Sequence, residues 1–149
     1  MNRFIFTGIL LGLLCGCTQQ QPQKTIILSK ESTNKTCKKF LNRLDSSTDW
    51  RFVDAYTIDP KSLDTELASA DGIILTGGAD INPGRYGTEA DTVKCGSIDY
   101  YRDSIEFVLL NFVENNGTPC LGLCRGLQIM NVYNGGSLHL NLPDTLSSI

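Results

Sequence analysis

The sequence predicts an α/β domain with a parallel β-sheet carrying helices on both faces. Two observations predict it. Short apolar runs alternate with stretches of helical periodicity, and the runs are continuously apolar rather than half polar. Strands covered on both faces read this way, and parallel strands need the crossovers that helices supply. Ligands of such sheets sit outside the carboxyl ends of the strands, so chemistry is expected in the turns that follow them.

Taken in order, Thr25-Ile26-Ile27-Leu28-Ser29 is a β-branched apolar run and reads as the first buried strand. From Asn34 to Leu44, Cys37, Phe40, Leu41 and Leu44 fall at helical spacing while Lys38, Lys39 and Arg43 face away, which predicts a surface helix. Arg51 to Ile58 alternates loosely and reads as a second strand. Pro60 then opens a helix through about Ala70. Gly72-Ile73-Ile74-Leu75 is a third strand, stopped by Thr76-Gly77-Gly78. The stretch from Ala79 to Ser97 is rich in Gly, Pro, Asn and Asp, and loops of such length are usually functional or mobile. Ile98, Tyr101, Ile105, Val108, Leu109 and Phe112 keep helical spacing up to the stop signal Asn115-Asn116-Gly117. Pro119 to Gly122 reads as a fourth strand, Arg125 to Tyr133 as a helix and Ser137 to Leu142 as a candidate fifth strand.

The amino terminus is a separate matter. Arg3 precedes an uncharged apolar run from Phe4 to Leu14, too short to span a bilayer and patterned like a secretory signal. Leu14-Cys15-Gly16-Cys17 resembles a bacterial lipobox, with Cys17 as the acylated residue. The organisation expected is a lipoprotein signal peptide over 1–16, a polar tether over 17–24 rich in Gln, and a domain over 25–149. The expected location is the cell envelope, anchored to a membrane through lipid, the outer membrane where the host has one. The alternatives are an uncleaved anchor helix or an ordinary signal with a chance cysteine.

Composition excludes more than it assigns. The chain has 149 residues, a formal net charge of −3 and 41% hydrophobic residues, ordinary for one domain. With no basic run carrying interleaved aromatics, nucleic acid is not expected as a partner. The six cysteines match no Cys-x2-Cys zinc spacing, and no metal is expected. A disulfide between Cys37 and Cys95 is possible in an oxidising envelope, but spacing alone does not pair them.

The chemistry centres on Gly122-Leu123-Cys124-Arg125-Gly126. A nucleophile on a tight strand-to-helix turn is pushed out of the sheet, and small neighbours make that turn possible. The helix beginning near Arg125 places partial positive charge beside the sulfur and favours thiolate. The Arg125 N–H would face an oxyanion on the attacked carbonyl, and Gly77-Gly78 is the available source of a second donor. The alternative is that Cys124 is a small packing residue and the glycines serve close approach only.

Separated motifs in order weigh on that choice. They are Leu75-Thr76-Gly77-Gly78-Ala79-Asp80-Ile81-Asn82-Pro83, Tyr86-Gly87, Asp99 with Arg102-Asp103 and Glu106, Gly117 to Gln128, Asn131-Val132 and Gly135-Gly136-Ser137-Leu138. From about Asp71 to Leu142 the chain resembles the γ-glutamyl-γ-aminobutyrate hydrolase family (peptidase C26) of the class I glutamine amidotransferase-like superfamily. The resemblance implies a flavodoxin-like three-layer α/β/α fold, a small γ-glutamyl substrate, no cofactor, and amide hydrolysis through a thioester. It implies Cys124 as nucleophile, the N–H groups of Gly78 and Arg125 as oxyanion donors, and Gln128 as a substrate contact. Arg102, Asp103 and Glu106 share one side of their helix, and an ion pair with no further function is an alternative for them. Asp80 is open between a site residue and a loop cap.

One departure bears on activity. The family's base is a His followed two residues later by a Glu, far beyond the cysteine, whereas this sequence ends 25 residues after it (149 − 124). The lone histidine, His139, stands where the family offers no catalytic histidine and is expected to be structural. The chain is therefore expected to be the N-terminal portion of a family member, inactive on its own. The other reading is a lipid-anchored binding or scaffold module that keeps the cleft without the chemistry.

Overall fold

The computed structural model describes residues 23–87 and 95–140. Four strands, β1 (Lys24–Leu28), β2 (Trp50–Asp54), β3 (Gly72–Leu75) and β4 (Cys120–Gly122), form one sheet in the order β2-β1-β3-β4. Every pairing is parallel. The helices are α1 (Thr36–Leu44), α2 (Pro60–Ala68), α3 (Tyr100–Asn116) and α4 (Arg125–Tyr133), with a 3-10 turn at Pro83–Tyr86. This is the α/β class expected, consistent with a flavodoxin-like amidotransferase fold.

Local chemistry sets most boundaries. β2 ends at Asp54 because the Asp54 carbonyl accepts the N–H groups of Thr57 and Ile58, and its carboxylate accepts from the Tyr56 N–H. The predicted strand to Ile58 is thus cut short by a turn. Asp59 caps α2 through the Lys61 N–H, with Pro60 in the first helical turn. Asp99 caps α3 through the Arg102 N–H, and Gly117 ends that helix at φ 65°.

One face of the sheet carries the core. Ile27, Val53, Ile73 and Leu75 pack with Leu63 and Leu67 of α2, Leu109 of α3 and Ile129 and Val132 of α4. Each such side chain contributes about 1.5–3 kcal/mol when fully buried. The other face differs from expectation. α1 buries none of its residues, and Phe40 and Leu44 are 61% and 71% exposed. Cys37, Phe40 and Leu41 instead overhang Ile74, Leu121 and Leu123 across an apolar cavity of about 260 Å³. Among the described residues no strand lies beyond β4 to widen the platform under the helix.

The candidate fifth strand is also absent as far as Leu140. Asn131 accepts the Gly136 N–H on its carbonyl and donates its side-chain amide to the Ser137 carbonyl, folding the segment back onto α4. Residues 141 and 142 lie outside the described residues, as do the signal, most of the tether and Cys17. No disulfide joins Cys37 to Cys95. No helix among the described residues is long and apolar enough to cross a membrane.

Candidate active site

Adjacent parallel strands bring the two glycine-rich turns together. Leu75 pairs with Gly122, and the Leu123 N–H donates to the Leu75 carbonyl at 2.8 Å. The chain therefore leaves β3 into Thr76-Gly77-Gly78 and leaves β4 into Leu123-Cys124 side by side. Cys124 stands at the N-cap of α4 with φ 51° and ψ −108°, a region L-residues rarely adopt. Such a conformation costs on the order of 1–3 kcal/mol and persists only where its surroundings impose it.

Those surroundings are the two glycines. A Cβ on Gly126 would lie 2.0 Å from the Leu75 carbonyl oxygen, and one on Gly122 would lie 2.7 Å from the Gly126 backbone and the Met130 sulfur. Close approach of α4 to β3 and β4 thus demands both. The packing reading of the glycines is correct, but it does not extend to the cysteine. Cys124 is exposed, while Cys120 in β4 is half-buried and its thiol pKa is pushed up by burial.

Two backbone N–H groups in these turns are unspent. The first N–H groups of a helix have no intrahelical partner, and α4 begins with the Leu127 and Gln128 N–H groups donating to the Cys124 carbonyl. Among the described residues, neither the Arg125 N–H nor the Gly78 N–H has an acceptor. Gly77 adjoins the cysteine, since a Cβ built on it would be 3.6 Å from the Cys124 Cβ. An exposed thiol at the N-terminus of α4, next to the unspent Arg125 N–H, can attack a carbonyl and hold the oxygen that becomes charged.

Beneath the turns lies a charged cluster that the sequence did not place. Arg102, Asp103, Glu106 and Arg125 are each at most 3% exposed. Arg102 donates through Nε to Glu106 Oε1 at 2.9 Å, and Arg125 donates to Glu106 Oε2 and to Asp103 Oδ1. Asp103 Oδ2 accepts the Asn82 N–H at 3.0 Å. Two positive and two negative groups compensate one another. Burial lowers the Arg102 pKa, and burial together with the Arg102 charge lowers that of Arg125 to about 10. Burial raises that of Asp103. The i,i+4 spacing of Arg102 and Glu106 announced their pair, but nothing local announced Arg125, 19 residues further on, as the third member. The ion pair is structural and buried, and the cluster fastens α3 to α4 immediately after Cys124.

The remaining candidates sit to one side. Gln128 is exposed on α4 and lines a cavity of about 270 Å³ with Asp80, Tyr86, Ser137 and His139, among others. Asp80 accepts the Gly96 N–H at 2.7 Å, which is a loop-closing role. His139 is exposed on the cavity wall, and Cys124 is not among the lining residues.

Comparison with known proteins agrees with this architecture. A model of the Peptidase C26 family matches residues 12–149. A Schizosaccharomyces pombe protein provisionally named a glutamine amidotransferase is 47% identical over 72 residues, 48% of this chain and 28% of the relative. A similarly named Mycobacterium tuberculosis protein is 42% identical over 93 residues, 60% of this chain and 29% of the relative. The γ-glutamyl-γ-aminobutyrate hydrolase of Escherichia coli K12 is 34% identical over 85 residues, 56% of this chain and 32% of the relative. The chain spans under a third of the length of these relatives.

Proposed function

The chain belongs to the peptidase C26 family, and from that premise we propose that it carries the nucleophile half of a γ-glutamyl amide hydrolase. The observation that carries this reading is Cys124, exposed and held at positive φ, with the N–H groups of Gly78 and Arg125 left unspent. The Cys124 thiolate attacks the γ-carbonyl carbon, and the carbonyl oxygen takes the negative charge facing the two N–H donors. Collapse expels the amine, which leaves with a proton, and forms a γ-glutamyl thioester. Water then cleaves the thioester and regenerates the thiol. Gln128, one helical turn after Cys124, is proposed to contact the substrate from the cavity it lines.

Proton transfer to the amine needs an acid–base group, typically worth about 100- to 10,000-fold. His139 lines the neighbouring cavity rather than the cysteine turn, so the reading does not use it as the base. Residues 1–149 alone are expected to hydrolyse γ-glutamyl-γ-aminobutyrate at background rate. A form of the protein that also contains the His and Glu should turn it over, lose that activity in Cys124→Ala and keep it in His139→Ala. Turnover by residues 1–149 that vanishes in His139→Ala would replace this assignment with a Cys–His dyad.

Anchoring is proposed on the sequence alone. Cys17→Ser should abolish labelling by a fatty-acid probe and leave the protein unprocessed or soluble. Unchanged labelling would move the site to Cys15 or dismiss it.

A further inference from the structure

We propose that Arg102 is a positioning residue whose guanidinium locks the Gly77–Gly78 peptide in the orientation that aims the Gly78 N–H toward the Cys124 side. The proposal rests on the γ-glutamyl hydrolase reading for its purpose, but its geometry stands apart from it. Arg102 is 3% exposed and lies on α3, yet most of its hydrogen bonds leave that helix. Nη1 donates to the Gly77 carbonyl at 3.0 Å, and Nη2 donates to the Thr76 carbonyl at 2.6 Å. Nη2 also reaches Thr76 Oγ1 at 2.8 Å and Ser29 Oγ at 3.3 Å, while Nε is held by Glu106. A planar five-donor fork is suited to such a task, because fixing any one bond orients the others.

The lock follows from peptide planarity. The Gly77 C=O and the Gly78 N–H belong to one peptide unit, and no cis bond occurs in the described chain. In a trans peptide the two groups point in opposite directions. Holding the carbonyl on Arg102 therefore directs the N–H away from Arg102, and Gly77 is the residue that adjoins the Cys124 Cβ. Without the guanidinium, a Gly–Gly peptide has little to stop it rotating about its flanking bonds, since neither residue carries a Cβ.

The second glycine has its own explanation here. A Cβ on Gly78 would lie 2.2 Å from Arg102 Nη1, so this position is glycine to let the guanidinium pass beneath the loop. Gly77 meets only ordinary contacts, the nearest at 3.6 Å. The steric demand of the pair therefore comes from Arg102.

The experiment compares wild type, Arg102→Met and the milder Arg102→Lys in the full chain, with two readouts. The first is the carbonyl ¹³C and amide signals of Gly77 and Gly78 by NMR. The second is the affinity of Cys124 for the N-acetylated γ-semialdehyde of glutamate, which forms a thiohemiacetal, against its alkylation rate by iodoacetamide, which forms no oxyanion. Loss of one oxyanion donor costs about 100- to 1,000-fold in well-studied sites, so a mis-aimed one should cost at least about tenfold in aldehyde affinity. Alkylation should stay within about threefold, since it does not use the donor. Arg102→Lys, able to reach one carbonyl, should fall between the others and covers the case in which Arg102→Met does not fold. Shifted or doubled Gly77 and Gly78 signals support the lock; unchanged signals in a folded variant overturn it. If those signals move while wild type forms no thiohemiacetal, the lock stands and the hydrolase reading fails.

Discussion

Replacing Glu106 by Gln tests whether the buried cluster fastens the cysteine turn. Glu106 is fully buried and receives Arg102 on one oxygen and Arg125 on the other. The amide has almost the same shape but no charge, and its NH₂ must face one guanidinium, donor against donor. The quartet of two positive and two negative groups becomes one with a net positive charge, away from water. Removing one partner of a buried ion pair typically costs about 3–5 kcal/mol, because the other charge is stranded. Against a total stability of about 5–15 kcal/mol, that is a large share. At roughly 2–8 °C per kcal/mol for domains bracketing this size, the melting temperature should fall by at least about 6 °C. Urea unfolding followed by circular dichroism reads the change, with the slope unchanged if only the native state is affected. In an Arg125→Met background the same substitution should cost markedly less, because one of the charges it strands is already gone. A loss below about 1 kcal/mol, or costs that simply add, would refute the account of the cluster.

Three further outcomes follow from the same geometry. Gly126→Ala should cost at least about 1–3 kcal/mol and alter Cys124 alkylation, since its methyl would meet the Leu75 carbonyl and force α4 off β3. A stable variant with native Cys124 reactivity would contradict this. Iodoacetamide at neutral pH, read by peptide mass spectrometry, should label exposed Cys124 at least about tenfold faster than half-buried Cys120, whose thiol pKa burial raises. Comparable labelling in the native protein would mean the turn is not assembled. The Asp45 carboxyl, held by the Ser47 and Thr48 hydroxyls, should titrate at about 2 rather than 3.8. Its folded-state pKa is depressed, so its stabilising effect is present above pH 3.8 and is lost as pH falls toward about 2. NMR titration should show the pKa return upward in Thr48→Val; no change would discount those hydroxyls.

The legible parts of this fold were those governed by local pattern. Gly72–Leu75 reads as strand because it is continuously apolar and stopped by glycines, and α4 begins at Arg125, where Gly122 and Gly126 leave the room the turn needs. The Gly-x-Cys-x-Gly turn was legible for the same reason. What local pattern does not carry is the partner of a residue. The apolar stripe of α1 predicted a packed face, but what it packs against depends on the extent of the sheet beneath it. Ser137–Leu140 has strand-forming residues, yet Asn131 claims its backbone first. Arg102 reads locally as half of a helical ion pair, and its partners Thr76 and Gly77 are 26 and 25 residues away in sequence. Asp99 and Lys30 pair beyond the reach of local pattern in the same way, joining at 2.8 Å across 69 residues.

The central claim is that Cys124 is the group that accepts the γ-glutamyl unit. An activated γ-glutamyl ester such as the p-nitrophenyl ester tests it most directly, because its leaving group departs without a proton. Thiolate attack then needs no acid, while release of the thioester still lacks its base. Intact-mass and peptide analysis of residues 1–149 should find one γ-glutamyl group per chain, carried on Cys124, removed by hydroxylamine and absent in Cys124→Ala. No adduct, or one that persists in Cys124→Ala, would contradict the account.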